Sequence, residues 1–240
     1  MKKIFVSTLA LVLIISCCVY GFAEEQKEIL FRGIPWGSSI PEYLSAIEKD
    51  KISGSTSKIR SIYSWEIKED NDMDESVLRI EDGGYYVSSY PKNFLVAGVP
   101  VSNIYAYFMF THDADNVYSE VEKASLYKAE YDLEPMDIAE TFPILSDKLT
   151  GLYGQGKKEH GSQKYLNGFT EHYETITWEG KNNTGVRLYM CYREEDGVKE
   201  YRSLSLSYGK TNSVDLFNDL IDAITREQKK EMLTDNNDGL

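Results

Sequence analysis

The run DNDMDESVLRIE, residues 70–81, places hard oxygen ligands at the spacing of a calcium loop. Asp70, Asp72, Asp74, Ser76 and Glu81 occupy positions 1, 3, 5, 7 and 12 of such a loop, and Val77 fills its apolar position 8. Carboxylates at alternate positions can surround the ion, and a distal bidentate Glu closes the shell. Position 6 holds Glu75 where the sharp turn takes Gly, and the flanks IYSWEIKE and GGYYVSSY read as strands rather than helices. The alternative is an acidic hairpin turn, in which Asp and Asn side chains bond their own backbone. His112, Asp113 and Asp115 in THDADN form a second cluster, but no further ligand at metal spacing completes it, and a turn uses the same residue types. His160 and His172 stand apart from it and make no zinc pattern.

Acid/base chemistry by paired carboxylates is always available in a chain with 39 acidic residues, but it needs two carboxyls about 5 to 9 Å apart, which spacing in sequence does not define. Ser203, Ser205 and Ser207 alternate along a strand with no G-x-S-x-G elbow. The stretch GLYGQGKK lacks the phosphate-loop spacing and the Ser or Thr that follows its Lys. Cys191 lies in the strand-like run VRLYMCYR with no His near it in sequence, which predicts a packed small residue rather than a nucleophile.

A binding face is the remaining chemical feature. Alternation in the last three strand-like runs sends Ile176, Trp178, Val186, Leu188, Met190, Leu204 and Leu206 inward. The opposite face then carries Tyr173, Arg187, Tyr189, Arg193, Tyr201, Ser203 and Ser205, together with Thr175, Thr177 and Ser207. Tyr supplies large contact area at low entropy cost and Ser adaptable hydrogen bonds, the mixture that recognition surfaces use. A solvated sheet face is built from the same residues.

The elements that must position these groups are legible from periodicity. Ser39 and Glu42 form a capping box ahead of a short helix with Pro41 in its first turn and Ile40, Leu44 and Ile47 on one face. Four strands follow, centred on IRSIYSWEI, GYYVSSY, NIYAYFMF and KASLYKAEYDL. A second helix after Pro135 carries Ile138, Phe142, Leu145, Leu149 and Leu152 and ends at Gly154; Pro143 inside it predicts a kink or a start near Thr141. Residues 154–168 hold four glycines and no apolar period, so they read as a mobile loop. Strands EHYETITW, GVRLYMCYR and YRSLSLSY follow, and Ser213 caps a final helix with a stripe of Leu216, Phe217, Leu220, Ile221 and Ile224. The expected class is α+β, an antiparallel meander with three helices on one face. Hairpin and helix recur in the same order in both halves, which suggests a tandem repeat. The division expected is a leader (1–23), an N-terminal half (24–134), a C-terminal half (135–230), continuous with it or separate, and a disordered tail (231–240).

The leader sets the compartment. Two lysines, an apolar run from Ile4 to Ile15 and the small-x-small site Gly21-Phe22-Ala23 form a secretory signal. The run is too short for a permanent span of about 20 residues. Ile14-Ile15-Ser16-Cys17 also fits a lipoprotein signal, in which Cys17 is acylated and anchors the chain to a membrane. Cleavage after Ala23 leaves Cys191 as the remaining cysteine, so the mature fold relies on its core rather than on an internal disulfide. It also removes two of the 26 basic residues and none of the acidic ones, making the mature chain more acidic than the net −13 of the full chain. That balance disfavours nucleic acid and anionic lipid surfaces and favours solubility, cationic ligands or divalent metals such as calcium.

The opening GIPWGSSIPEYLSAI resembles the start of BamE/SmpA-like exported modules through Trp36, Gly37, Ser39 and Glu42. The resemblance implies helices packed on a short antiparallel sheet and a non-catalytic binding or assembly role. Tandem versions, as in the β-lactamase inhibitor protein fold, would match the repeat. The second half has no equivalent WGSS start, and the first strand region is longer than one module needs. The function expected is therefore binding of a protein, small-molecule or glycan partner outside the cytoplasm. An exported hydrolase using paired carboxylates and a calcium-binding exported protein are the alternatives.

Overall fold

The computed structural model describes residues 27–49, 57–62, 83–113, 116–164, 169–195 and 197–235. The leader with Cys17, and Asp70, Asp72, Asp74, Ser76 and Glu81 of the calcium-type run, lie outside the described residues. The class is α+β, as the periodicity predicts. In chain order the elements are α1 (Ile40–Lys49), β1 (Ser57–Ile62), β2 (Gly84–Ser89), β3 (Leu95–Val96), β4 (Val99–Met109), β5 (Thr111–His112), β6 (Val117–Tyr118) and β7 (Ser125–Leu133). Then come α2 (Ile138–Tyr153), β8 (Lys157–Lys164), β9 (Thr170–Gly180), β10 (Thr184–Glu195), β11 (Val198–Lys210) and α3 (Ser213–Asp235).

Antiparallel pairing joins both halves of the chain into one sheet, in the order β1-β2-β4-β7-β11-β10-β9-β8 with β3 attached to β4. The seam is β7 against β11, where Tyr131 faces Leu206 and Ala129 faces Tyr208. One face of this sheet is apolar over its central strands, where Val87, Ile104, Ala106, Phe108, Leu188 and Leu206 are all buried. The helices cover that face. Phe142, Leu145 and Leu149 of α2 pack over β9, β10 and β11, while Leu220, Ala223 and Ile224 of α3 join the same core. Tyr43 of α1 meets Phe108 edge-on at 5.5 Å between ring centroids. Among the described residues no helix is long and apolar enough to cross a membrane.

The local chemistry of α1 follows the sequence closely. The Ser39 backbone N–H donates to Glu42 Oε2 at 2.8 Å, and the Glu42 N–H donates back to Ser39 Oγ at 3.5 Å. That bonding lowers the Glu42 carboxyl below its ordinary range, since the ionised form is the better acceptor. The preceding WGSS turn docks the helix. Trp36 Nε1 donates to the Ile29 carbonyl at 2.8 Å, Gly37 N donates to Leu126 O, and Leu126 N donates to Ser38 O. Gly37 has φ of +91°, a backbone region that side chains resist.

Four expectations change. Residues 157–164 of the glycine-bearing stretch form β8, because Gly161 accommodates the ring of Tyr173: a Cβ there would lie 2.1 Å from the Tyr173 phenol. A strand made almost wholly of exposed polar residues has no hydrophobic period to announce it, and at the sheet edge its lysines guard against further pairing. Helix α3 continues through Asp235, so 231–235 are helical rather than part of a disordered tail. Helix α2 starts at Ile138 rather than near Thr141, with the Asp137 carboxylate capping Glu140 N, and it includes Pro143 and ends at Gly154 at φ +82°. Leu152 falls off its buried stripe and is exposed, whereas Tyr43, outside the predicted α1 stripe, is fully buried.

Candidate functional site

On the side of the sheet opposite the buried face, cross-strand register arranges the side chains in rows. One row runs Glu159, Thr175, Tyr189, Ser205, Asp132, Asn103 across β8, β9, β10, β11, β7 and β4. The next runs Lys157, Thr177, Arg187, Ser207, Glu130, Tyr105. A third runs Glu179, Gly185, Gly209, Lys128, Tyr107, Tyr86 across β9, β10, β11, β7, β4 and β2. Alternation accounts for this face on β7, β10 and β11, where Tyr131, Leu188 and Leu206, one step along each strand, belong to the buried core.

Of the predicted binding residues, Tyr173, Arg187, Tyr189, Arg193, Ser203 and Ser205 do share this open face. Tyr173 and Tyr189 stack diagonally with centroids 6.2 Å apart, and the Arg187 guanidinium lies 5.7 Å from the Tyr189 ring. Arg193 reaches over Phe169 at 4.3 Å. Tyr201 belongs to the other face. A bulge shifts the β10–β11 register so that Cys191 faces Ser203 but Tyr192 faces Tyr201. The extra residue, Arg202, reverses the alternation beyond it. Tyr201 consequently packs with Tyr192, 5.6 Å away, which in turn stacks on His172 at 5.4 Å.

Sequence reasoning missed the second aromatic group. Tyr86, Tyr105, Tyr107 and Tyr127 form a lattice with centroid separations of 6.2 to 6.4 Å at the other end of the face, with Lys128 Nζ 5.1 Å from the Tyr107 ring. Alternation in NIYAYFMF was the available signal. Burial, with Glu130 beside Tyr107 and Asp132 beside Tyr105, pushes both phenols upward, so they stay protonated donors.

Between the aromatic groups lies a cavity of about 520 Å³. Gly185 and Gly209 face each other across β10 and β11 beneath it and contribute no side chain to its floor. A Cβ at Gly185 would sit 3.0 Å from Thr211 Cγ2, and one at Gly209 3.1 Å from the Tyr127 carbonyl, so both positions are tight for any larger residue. Lys128, Lys157, Arg187 and Lys210 line the walls against Glu159 and Glu179. Lys157 pairs with Glu159 at 2.7 Å, Lys128 with Glu130 at 3.5 Å, and Lys210 donates to the Asn182 carbonyl at 3.0 Å. Arg187 is exposed and has no ion-pair partner among the described residues.

The other candidate groups have structural work. Asp113 holds the β5–β6 turn, accepting from Asn116 N at 2.9 Å and from Tyr118 Oη at 2.6 Å; Asp115 lies outside the described residues. His112 sits on β5, His160 on β8 and His172 on β9, on separate strands. Among the described residues no three His, Cys, Asp or Glu side chains are grouped to hold a metal. Cys191 is a buried free thiol, and burial raises its pKa, which works against thiolate chemistry.

The class defined by fold and site is an α+β protein with helices on one sheet face and a Tyr, Ser and Arg surface on the other. Comparison with family models, with curated proteins and with solved structures finds no match to this chain.

Proposed function

We propose that this is an exported, non-catalytic binding protein that engages a protein, small-molecule or glycan partner through the open sheet face. The observation that carries the reading is the composition of that face. Two tyrosine groups flank a floor of paired glycines, which combines large aromatic contact area with an unobstructed base. The leader at 1–23 supports export, and the WGSS-E opening supports a BamE/SmpA-like binding module, because its residues seat α1 on the sheet. The test is binding to an array of glycans and peptides by the mature chain, with Tyr189→Ala and Ser205→Arg on the open face and Leu152→Ser on the helix face. Loss with the first two and not the third is expected. Binding that survives both open-face changes would refute the reading.

A second reading, an exported hydrolase using paired carboxylates, draws on Glu130 and Asp132. They point to the open face two residues apart on β7, about 7 Å along the strand. Lys128 is paired with Glu130, whereas burial, with Glu130 beside it, pushes the Asp132 carboxyl upward against the bond donated by Asn103. A carboxyl kept protonated to higher pH is what the acid of such a pair requires. Glycoside turnover abolished by Asp132→Asn and by Glu130→Gln would favour it; turnover untouched by both would exclude it.

A further inference from the structure

We propose that the cavity over Gly185 and Gly209 binds an acidic glycan, its carboxylate held by Arg187 and its hydroxyls by Thr177, Ser207 and Thr211. The proposal rests on the open-face reading and adds the ligand class.

Charge is the first argument. Four cations line this cavity in a chain of net −13, and Lys128, Lys157 and Lys210 are offset by Glu130, Glu159 and Glu28. Composition alone points to cationic ligands, whereas the Arg187 guanidinium here has no ion-pair partner among the described residues. Ser213, the first residue of the 23-residue helix α3, also lines the cavity and adds the positive end of a helix dipole to the same wall. Arg187, which makes no ion pair, presents a fork that matches a carboxylate.

Topology is the second. The cavity reaches edge strand β8 through Lys157 and Glu159, but its floor lies over β10 and β11, each paired on both sides, where ladder bonds consume the backbone donors and acceptors. A peptide docked there would bury its own backbone groups without strand partners, at a cost for each. A polyhydroxylated anion instead meets side-chain hydroxyls and cations. The absence of two side chains, at Gly185 and Gly209, leaves a flat floor on which a sugar ring can lie.

The experiment is isothermal titration of the mature chain with a short oligogalacturonate, its methyl ester and a short poly-glutamate peptide, with amide shifts of Gly185 and Gly209 followed by NMR. The free acid should bind, move both glycine signals and weaken as salt rises. Arg187→Ala, at an exposed position that leaves the core intact, should weaken it about tenfold or more, and Arg187→Lys should restore part of the loss. Equal binding of the ester would overturn the anionic class, and binding of the peptide alone would overturn the glycan; the open-face reading survives both. No binding by any of the three overturns the inference, while the array variants at Tyr189 and Ser205 decide the wider reading separately.

Discussion

Thr184→Val should unlatch the chain's first described segment from the sheet. Thr184 is fully buried at the start of β10, and its hydroxyl works twice: it accepts from the Ile29 backbone N–H at 2.9 Å and donates to the Lys181 carbonyl at 2.7 Å. The first bond spans 155 residues and fastens the segment leading to α1 against the β9–β10 turn. Lys181 N donates to Lys27 O beside it, and Gly180 makes the approach feasible, since a Cβ there would lie 2.7 Å from the Lys27 carbonyl. Valine keeps the shape and removes both bonds. Each is worth about 1 kcal/mol net, and the stranded Ile29 donor adds roughly 1–3 kcal/mol of desolvation, so the loss should be about 3–5 kcal/mol. Thr184→Ser keeps the hydroxyl and gives up one buried methyl, about 1 kcal/mol. Urea unfolding of the three proteins, with midpoints compared at equal slope, measures the difference. A valine variant as stable as wild type, or a serine variant worse than valine, would refute the reasoning. Gly185 and Lys210 adjoin this latch, so the valine variant should also disturb the cavity.

Asp132→Asn should raise the melting temperature at pH 7. Burial raises the folded pKa of Asp132 above its unfolded value, so its contribution is most favourable below about pH 4 and is lost as pH rises through the folded value; the asparagine advantage should therefore vanish in acid. A variant less stable than wild type at pH 7 contradicts this. Leu220→Ala should cost about 2–5 kcal/mol, since the side chain is fully buried where α3 meets the core; an unchanged urea midpoint would show that α3 is not docked. Glu75 stands where a calcium loop takes Gly, so melting curves in EDTA and in millimolar calcium should coincide. A calcium-dependent rise removed by Asp70→Ala or Glu81→Ala would establish the metal loop instead.

The sequence by itself determined whatever depends on neighbours along the chain. The Ser39–Glu42 box, the Gly154 stop and the alternation that separates Leu188 and Leu206 from Arg187 and Ser205 are short-range facts of backbone geometry and side-chain period. The tertiary structure decided the rest. A bulge at Arg202 moved Tyr201 to the other face, because one unpaired residue reverses every position after it and leaves no mark in composition. Gly161 made a strand of a polar stretch by receiving the ring of Tyr173, its cross-strand neighbour twelve residues on. The joining of the two halves through β7 and β11 brought Lys128 and Arg187 around one floor in an acidic chain. Charge adds along a sequence, whereas the field at a site depends on which few charges the fold sets side by side.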